Sequence, residues 1–107
     1  MRRFGQVIGV DPGRYEEYVT AHADVWPGVL ARIADCGIRN YSIYAFGDRL
    51  FAYFEYHGDD FDGDMRRMAD DPETQRWWAY VMPMQRPLDG RADGEWWATM
   101  TEVFHVD

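Results

Sequence analysis

The stretch Ile38-Arg39-Asn40-Tyr41-Ser42-Ile43-Tyr44-Ala45-Phe46, followed by Gly47-Asp48-Arg49 and then Leu50-Phe51-Ala52-Tyr53-Phe54-Glu55-Tyr56, decides the fold. Both runs are rich in aromatic and branched side chains, which suit a pleated, half-buried surface. The three-residue connection contains glycine and is short enough for an antiparallel hairpin. The chain therefore has two adjacent strands at its centre.

Working outward toward the N-terminus, Arg3 to Val10 alternates so that Phe4, Gln6, Ile8 and Val10 share one face of a strand, which ends at Asp11-Pro12-Gly13. Asp11 suits an N-cap with Pro12 at the first helical position, and Tyr15, Tyr18, Val19 and His22 recur at helical spacing. A second helix starts at Trp26-Pro27, is expected to bury Val29, Leu30 and Ile33, and stops near Cys36-Gly37, where glycine can take a left-handed conformation. Toward the C-terminus, Asp59-Asp60-Phe61-Asp62-Gly63-Asp64 leads into a helix through Met65 and Met68. Asp71-Pro72 then restarts one through Arg76-Trp77-Trp78. Pro83 to Gly94 reads as a loop and Trp97 to Val106 as a fourth strand.

The order strand, helices, strand, strand, helices, strand is that of an α+β, ferredoxin-like split βαβ fold with its helices on one sheet face. Residues 1–107 are expected to form a single domain. The second sheet face would expose Phe51, Tyr53 and Val103, so a homodimer that packs sheet against sheet, a dimeric α+β barrel, is expected.

Composition narrows the partners. At 47% hydrophobic and 17% aromatic the chain can bury a core, and five Trp, seven Tyr and six Phe are more than so small a core can hold, which leaves some to line a cleft or interface. A formal net charge of −8 argues against nucleic acid phosphates and anionic membrane surfaces, both of which need a concentrated positive patch. No segment has the roughly 20 apolar residues of a membrane span, and Met1-Arg2-Arg3-Phe4 lacks the apolar run of a signal peptide, so a cytoplasmic protein is expected. Cys36, the single cysteine, reads as a buried, inert thiol.

Tyr18 and His22 stand four residues apart and project from one helix face, where an imidazole that exchanges protons near neutrality could work beside a phenol that donates. The spacing equally suits a structural histidine. Trp77 and Trp78 diverge by about 100° on a helix, so one can fill the core while the other borders a pocket, presenting a flat face to sugar C–H groups. Tyr41 and Tyr44 point to opposite faces of their strand, and only one can face the helices. Trp96 and Trp97 read as packing or dimer contacts, and His57 as a solvated turn residue. The acidic run around Gly63 fails the calcium-loop pattern, which would place Gly58 first and Ala69 twelfth, and it reads as a helix start. No metal site and no cofactor motif is expected.

Taken in order, Glu16-Glu17-Tyr18 with His22 and Trp26-Pro27, then Asn40-Tyr41-Ser42-Ile43-Tyr44, then Gln75-Arg76-Trp77-Trp78, then Glu102-Val103-Phe104, the chain resembles the L-rhamnose mutarotase family across nearly its whole length. The resemblance implies a homodimeric, cofactor-free isomerase that interconverts the α and β anomers of a deoxyhexose, L-rhamnose or in some branches L-fucose. It implies that His22 is the catalytic acid and that Tyr18, Tyr41, Trp77 and Trp78 bind the monosaccharide. Ala23-Asp24 after His22, where relatives often carry Asn-Pro, and a shortened segment between Trp78 and Pro83 are departures near the pocket. A cofactor-free oxygenase for aromatic substrates and a non-catalytic metabolite-binding module are the readings from other classes.

Overall fold

The computed structural model describes residues 1–107. Strand β1 (Arg2–Val10) is followed by a 3-10 turn at Pro12–Arg14, helix α1 (Tyr15–His22) and helix α2 (Pro27–Asp35). The hairpin is β2 (Ile38–Phe46) and β3 (Arg49–Tyr56), and α3 (Phe61–Asp70) and α4 (Pro72–Val81) come next. Two short strands, β4 (Gln85–Arg86) and β5 (Ala98–Met100), end the series. The antiparallel sheet runs β2-β3-β1-β4, with β5 on the same side of β1 as β4, so the α+β, ferredoxin-like split βαβ order read from the sequence is the one observed.

The helix starts follow from local chemistry. The carboxylates of Asp11, Asp60 and Asp71 accept from the backbone N–H groups of Gly13, Gly63 and Thr74 at 2.9, 3.1 and 2.9 Å, each satisfying a donor that the first helical turn leaves free. Gly37 ends α2 at φ +81°, a conformation that costs other residues steric strain.

Alternate residues of β1 and β3 face the helices. Ile8, Val10 and Leu50 pack there with Tyr18, Val29, Trp77, Val81 and Met84. Fully burying one such aliphatic side chain contributes roughly 1.5–3 kcal/mol. Toward the other strand end, Ile38, Phe54 and Tyr56 form a second cluster, with Phe4 stacked on both Phe54 and Phe61 at 4.8 Å.

Strand β2 departs from strict alternation. Its register against β3 slips between Arg39 and Ser42, where Asn40 takes φ +50°, a left-handed conformation that asparagine tolerates better than most residues. The extra residue reverses the parity. Ile38 faces the helices before the bulge and Tyr41, Ile43 and Ala45 do so after it, leaving Tyr44 and Phe46 on the opposite face.

Four expectations are corrected. Leu30, expected in the core, is 53% exposed, because it sits on the α2 flank that borders an open cavity rather than packed side chains. Val19 lies on the solvent side of α1. Within the expected loop Pro83–Gly94, Gln85 and Arg86 pair with Val10 and Gly9. The strand expected over Trp97–Val106 is confined to Ala98–Met100, paired with Gly5–Val7. Beyond Met100 an ion pair from Arg3 to Glu102 at 3.1 Å holds the chain, and Val103, Phe104 and Val106 stay exposed because a single chain offers no second layer to bury them.

Candidate active site

Between the helices and the concave side of the sheet lies a cavity of about 580 Å³, within the roughly 300–1,000 Å³ usual for small-molecule sites. All five residues singled out from the sequence, Tyr18, His22, Tyr41, Trp77 and Trp78, line it. Its wall contains no aspartate, glutamate, lysine or arginine, so the only groups there that can exchange protons are one imidazole and two phenols.

Helix α1 presents His22 one turn after Tyr18, and their rings stack with centroids 4.1 Å apart. The Nδ1 atom of His22 lies 2.8 Å from the backbone carbonyl of Tyr18. A carbonyl can only accept, so Nδ1 carries the hydrogen, and in the neutral ring Nε2 keeps its lone pair. Burial lowers the His22 pKa below its ordinary 6.5, partly opposed by the bond to the Tyr18 carbonyl. At neutral pH the ring therefore rests uncharged, with Nε2 as a base. Trp77 meets His22 edge-on at 5.2 Å and fixes its plane from the other side.

The phenols are held in the opposite state. Burial raises the pKa of Tyr18, while a hydrogen bond from Gln85 works against the rise. Tyr41 leaves 45% of its surface open, yet its hydroxyl end is crowded by protein close to Tyr18, and its pKa is pushed up to about 12. Both are hydroxyl donors across the working pH range. The two tryptophans divide as their divergence on the helix requires. Trp77 is buried in the core, Trp78 is half-buried, and each shows part of its ring to the cavity.

Among the lining residues that sequence reasoning missed are Gln6, Gln85, Trp96 and Trp97. Gln85 reaches the cavity from the short strand β4, and its amide donates to the Tyr18 hydroxyl at 3.1 Å. The indole N–H of Trp96 donates to the Gln85 carbonyl oxygen at 2.7 Å. Trp96 and Trp97, read as packing or dimer contacts, therefore belong to the cavity wall, brought over it by the return of the chain onto β1. Gln6 also faces in, and the one polar side chain in the stripe Phe4, Gln6, Ile8, Val10 was its signal. His57, the expected solvated turn residue, is remote from the cavity and bonds Glu55 at 2.9 Å.

The sequence model of a family described as L-rhamnose mutarotase matches residues 3–106. An L-rhamnose mutarotase of Bacillus subtilis is 34% identical over the whole of both chains. An L-fucose mutarotase of Xanthomonas campestris is 36% identical over 77% of this chain and 66% of its own. Among solved structures, an L-rhamnose mutarotase of Formosa agariphila superposes over the full length of both chains with a TM-score of 0.79 at 20% identity, which bears on the fold.

Proposed function

The chain belongs to the L-rhamnose mutarotase family, and from that premise we propose that residues 1–107 act as one mutarotase domain, a cofactor-free isomerase that interconverts the α and β anomers of L-rhamnose. The observation that carries this reading is a neutral imidazole with a free Nε2 beside two protonated phenols in a cavity whose wall bears no charge.

Mutarotation moves one proton from the anomeric hydroxyl to the ring oxygen while the bond between that oxygen and the anomeric carbon breaks. The open aldehyde turns about its bond to the next carbon, and closure on the other face reverses the transfer. In the proposed cycle Nε2 of His22 takes the hydroxyl proton and, now as imidazolium, gives it to the ring oxygen. The acid role implied for His22 by the family resemblance is thus the second half of one shuttle that starts from the base. Both oxygens are bonded to the same carbon, so one imidazole serves both. Tyr18 and Tyr41 orient the sugar through their hydroxyl hydrogens, and Trp77 and Trp78 lie against its apolar side. Positioned proton transfer contributes about 10² to 10⁴ in rate, which suffices for a reaction that already proceeds in water.

Saturation transfer between the anomeric proton signals of L-rhamnose, with and without protein, tests the reading. Exchange accelerated by wild type and lost in His22→Ala supports it. L-Fucose is the second substrate to assay, favoured by the 36% identical L-fucose mutarotase. Binding of the sugar without acceleration would leave a non-catalytic module, and indifference to both sugars would point to another small-molecule chemistry such as a cofactor-free oxygenase.

A homodimer belongs to the same proposal. Phe46 is 82% and Val103 91% exposed, and Tyr44, Phe104 and Val106 are exposed with them, which suits burial against a second copy related by a twofold axis. Sedimentation at twice the chain mass, reduced to once by Val103→Asp with Phe46→Asp, is the expected outcome. A cytoplasmic location completes the reading, with the free, buried Cys36 in accord with a reducing compartment, and cell fractionation tests it.

A further inference from the structure

The hydroxyl of Tyr18 is 3% exposed with its ring, and within the protein it has a single hydrogen-bond partner, the side chain of Gln85. That partner is itself constrained. Gln85 is 8% exposed and sits on β4, which lies so close on β1 that a Cβ at Gly9 would meet the carbonyl oxygen of Arg86 at 2.6 Å. Its amide has one accepting end and one donating end. An indole N–H can only donate, and that of Trp96 lies 2.7 Å from the Gln85 oxygen. The network therefore assigns the amide: the oxygen faces Trp96 and the NH₂ faces Tyr18. The Tyr18 oxygen must accept, and its own hydrogen has to point elsewhere. Tyr18, Gln85 and Trp96 all border the cavity, so that hydrogen is left for whatever the cavity holds.

We infer that Gln85 and Trp96 are positioning residues that fix the direction of the Tyr18 proton, making Tyr18 an obligate hydrogen-bond donor to the bound sugar. The inference rests on the mutarotase reading for the identity of the acceptor. It makes the chain Trp96 to Gln85 to Tyr18 a one-way relay that ends on a sugar oxygen. Reversing or freeing the amide lets Tyr18 donate to Gln85 instead, and the substrate then faces lone pairs where it needs a proton.

The test is a double-mutant cycle read by anomer exchange. Trp96→Phe keeps the ring and deletes the N–H, and Gln85→Met keeps the length and deletes the amide. Each is expected to lower kcat/KM about tenfold, the size of one directed hydrogen bond. Each is expected to cost less than about twofold when Tyr18 is already phenylalanine, because nothing remains to direct. A packing role would give the same loss in both backgrounds, and that result, or no loss in either, overturns the inference. Should wild type exchange neither L-rhamnose nor L-fucose, the mutarotase reading fails by itself, and the relay is then judged by the Trp96 indole N–H resonance. A downfield, exchange-protected signal that moves upfield and exposes in Gln85→Met upholds it; a signal indifferent to Gln85→Met sinks it.

Discussion

Two buried tyrosines, one at each end of the space between helices and sheet, differ in what their hydroxyls have left to give. Tyr56 is fully used: it donates to the Asp64 carboxylate at 2.6 Å and accepts from the Asp60 N–H at 2.8 Å, tying the start of α3 to β3. Around it Phe4 stacks on both Phe54 and Phe61, and Phe61 meets the Tyr56 ring edge-on. Tyr18 only accepts, and beside it His22 keeps a ring nitrogen without a protein partner, inside a wall of aromatics that leave a cavity. Similar side chains therefore produce a structural end and a chemical end. What separates them is whether the protein itself exhausts the hydrogen-bonding capacity of its buried polar groups.

The largest difference between the two ends is expected at the free nitrogen. His22→Ala is expected to slow anomer exchange by about 10² to 10⁴ while the circular dichroism spectrum and unfolding midpoint stay near wild type, and a variant with more than half the activity would end the shuttle proposal. The closed end gives the converse result. Ile38→Ala should lose about 2–5 kcal/mol of unfolding free energy in a denaturant titration, with kcat/KM of the folded fraction unchanged. The matched pair of phenols sharpens the contrast further. Tyr18→Phe is expected to lower kcat/KM roughly tenfold, whereas Tyr56→Phe should leave exchange intact and lower the thermal midpoint by a few degrees, since the Asp60 N–H and the Asp64 carboxylate lose a buried partner.

The smallest effect expected is in the pH dependence. The base form of His22 starts the cycle and its pKa is lowered by burial, so exchange should rise from acid pH, level off below the ordinary imidazole value of 6.5 and remain flat through neutrality. The same depression links to stability. The unfolded chain binds the proton more tightly than the folded one, so the contribution of neutral His22 is complete above pH 6.5 and is lost as pH falls toward the lowered folded value. An activity profile that falls with rising pH across that window would return His22 to the role of resting acid.

Much of this was legible along the chain because it depends on local periodicity. The alternation of β1, the hairpin over Ile38–Tyr56 and the caps at Asp11 and Asp71 are written in neighbouring residues, and they fix the split βαβ order. The spacing of Tyr18 and His22 and the divergence of Trp77 from Trp78 follow from helix geometry alone. Gln6 was legible in principle, as a polar side chain in a stripe of core residues. Gln85 was not, since a two-residue strand inside a segment of Pro, Gly and charge has no period to read.

The elements, their order and the helical pair at the centre of the site are written in the residues, because they rest on contacts within a few positions of one another. Which tyrosine of β2 enters the cavity is settled by the folded sheet. Counting alternately from the buried Ile38 would turn Tyr44 inward and Tyr41 out, and the single extra residue at Asn40 reverses that choice. Long-range pairing likewise brings Gln85 to Tyr18, 67 residues earlier in the chain, and Trp96 to Gln85. A bulge and a pairing between distant segments are settled by which hydrogen bonds the assembled sheet can close, and local propensity carries no record of them.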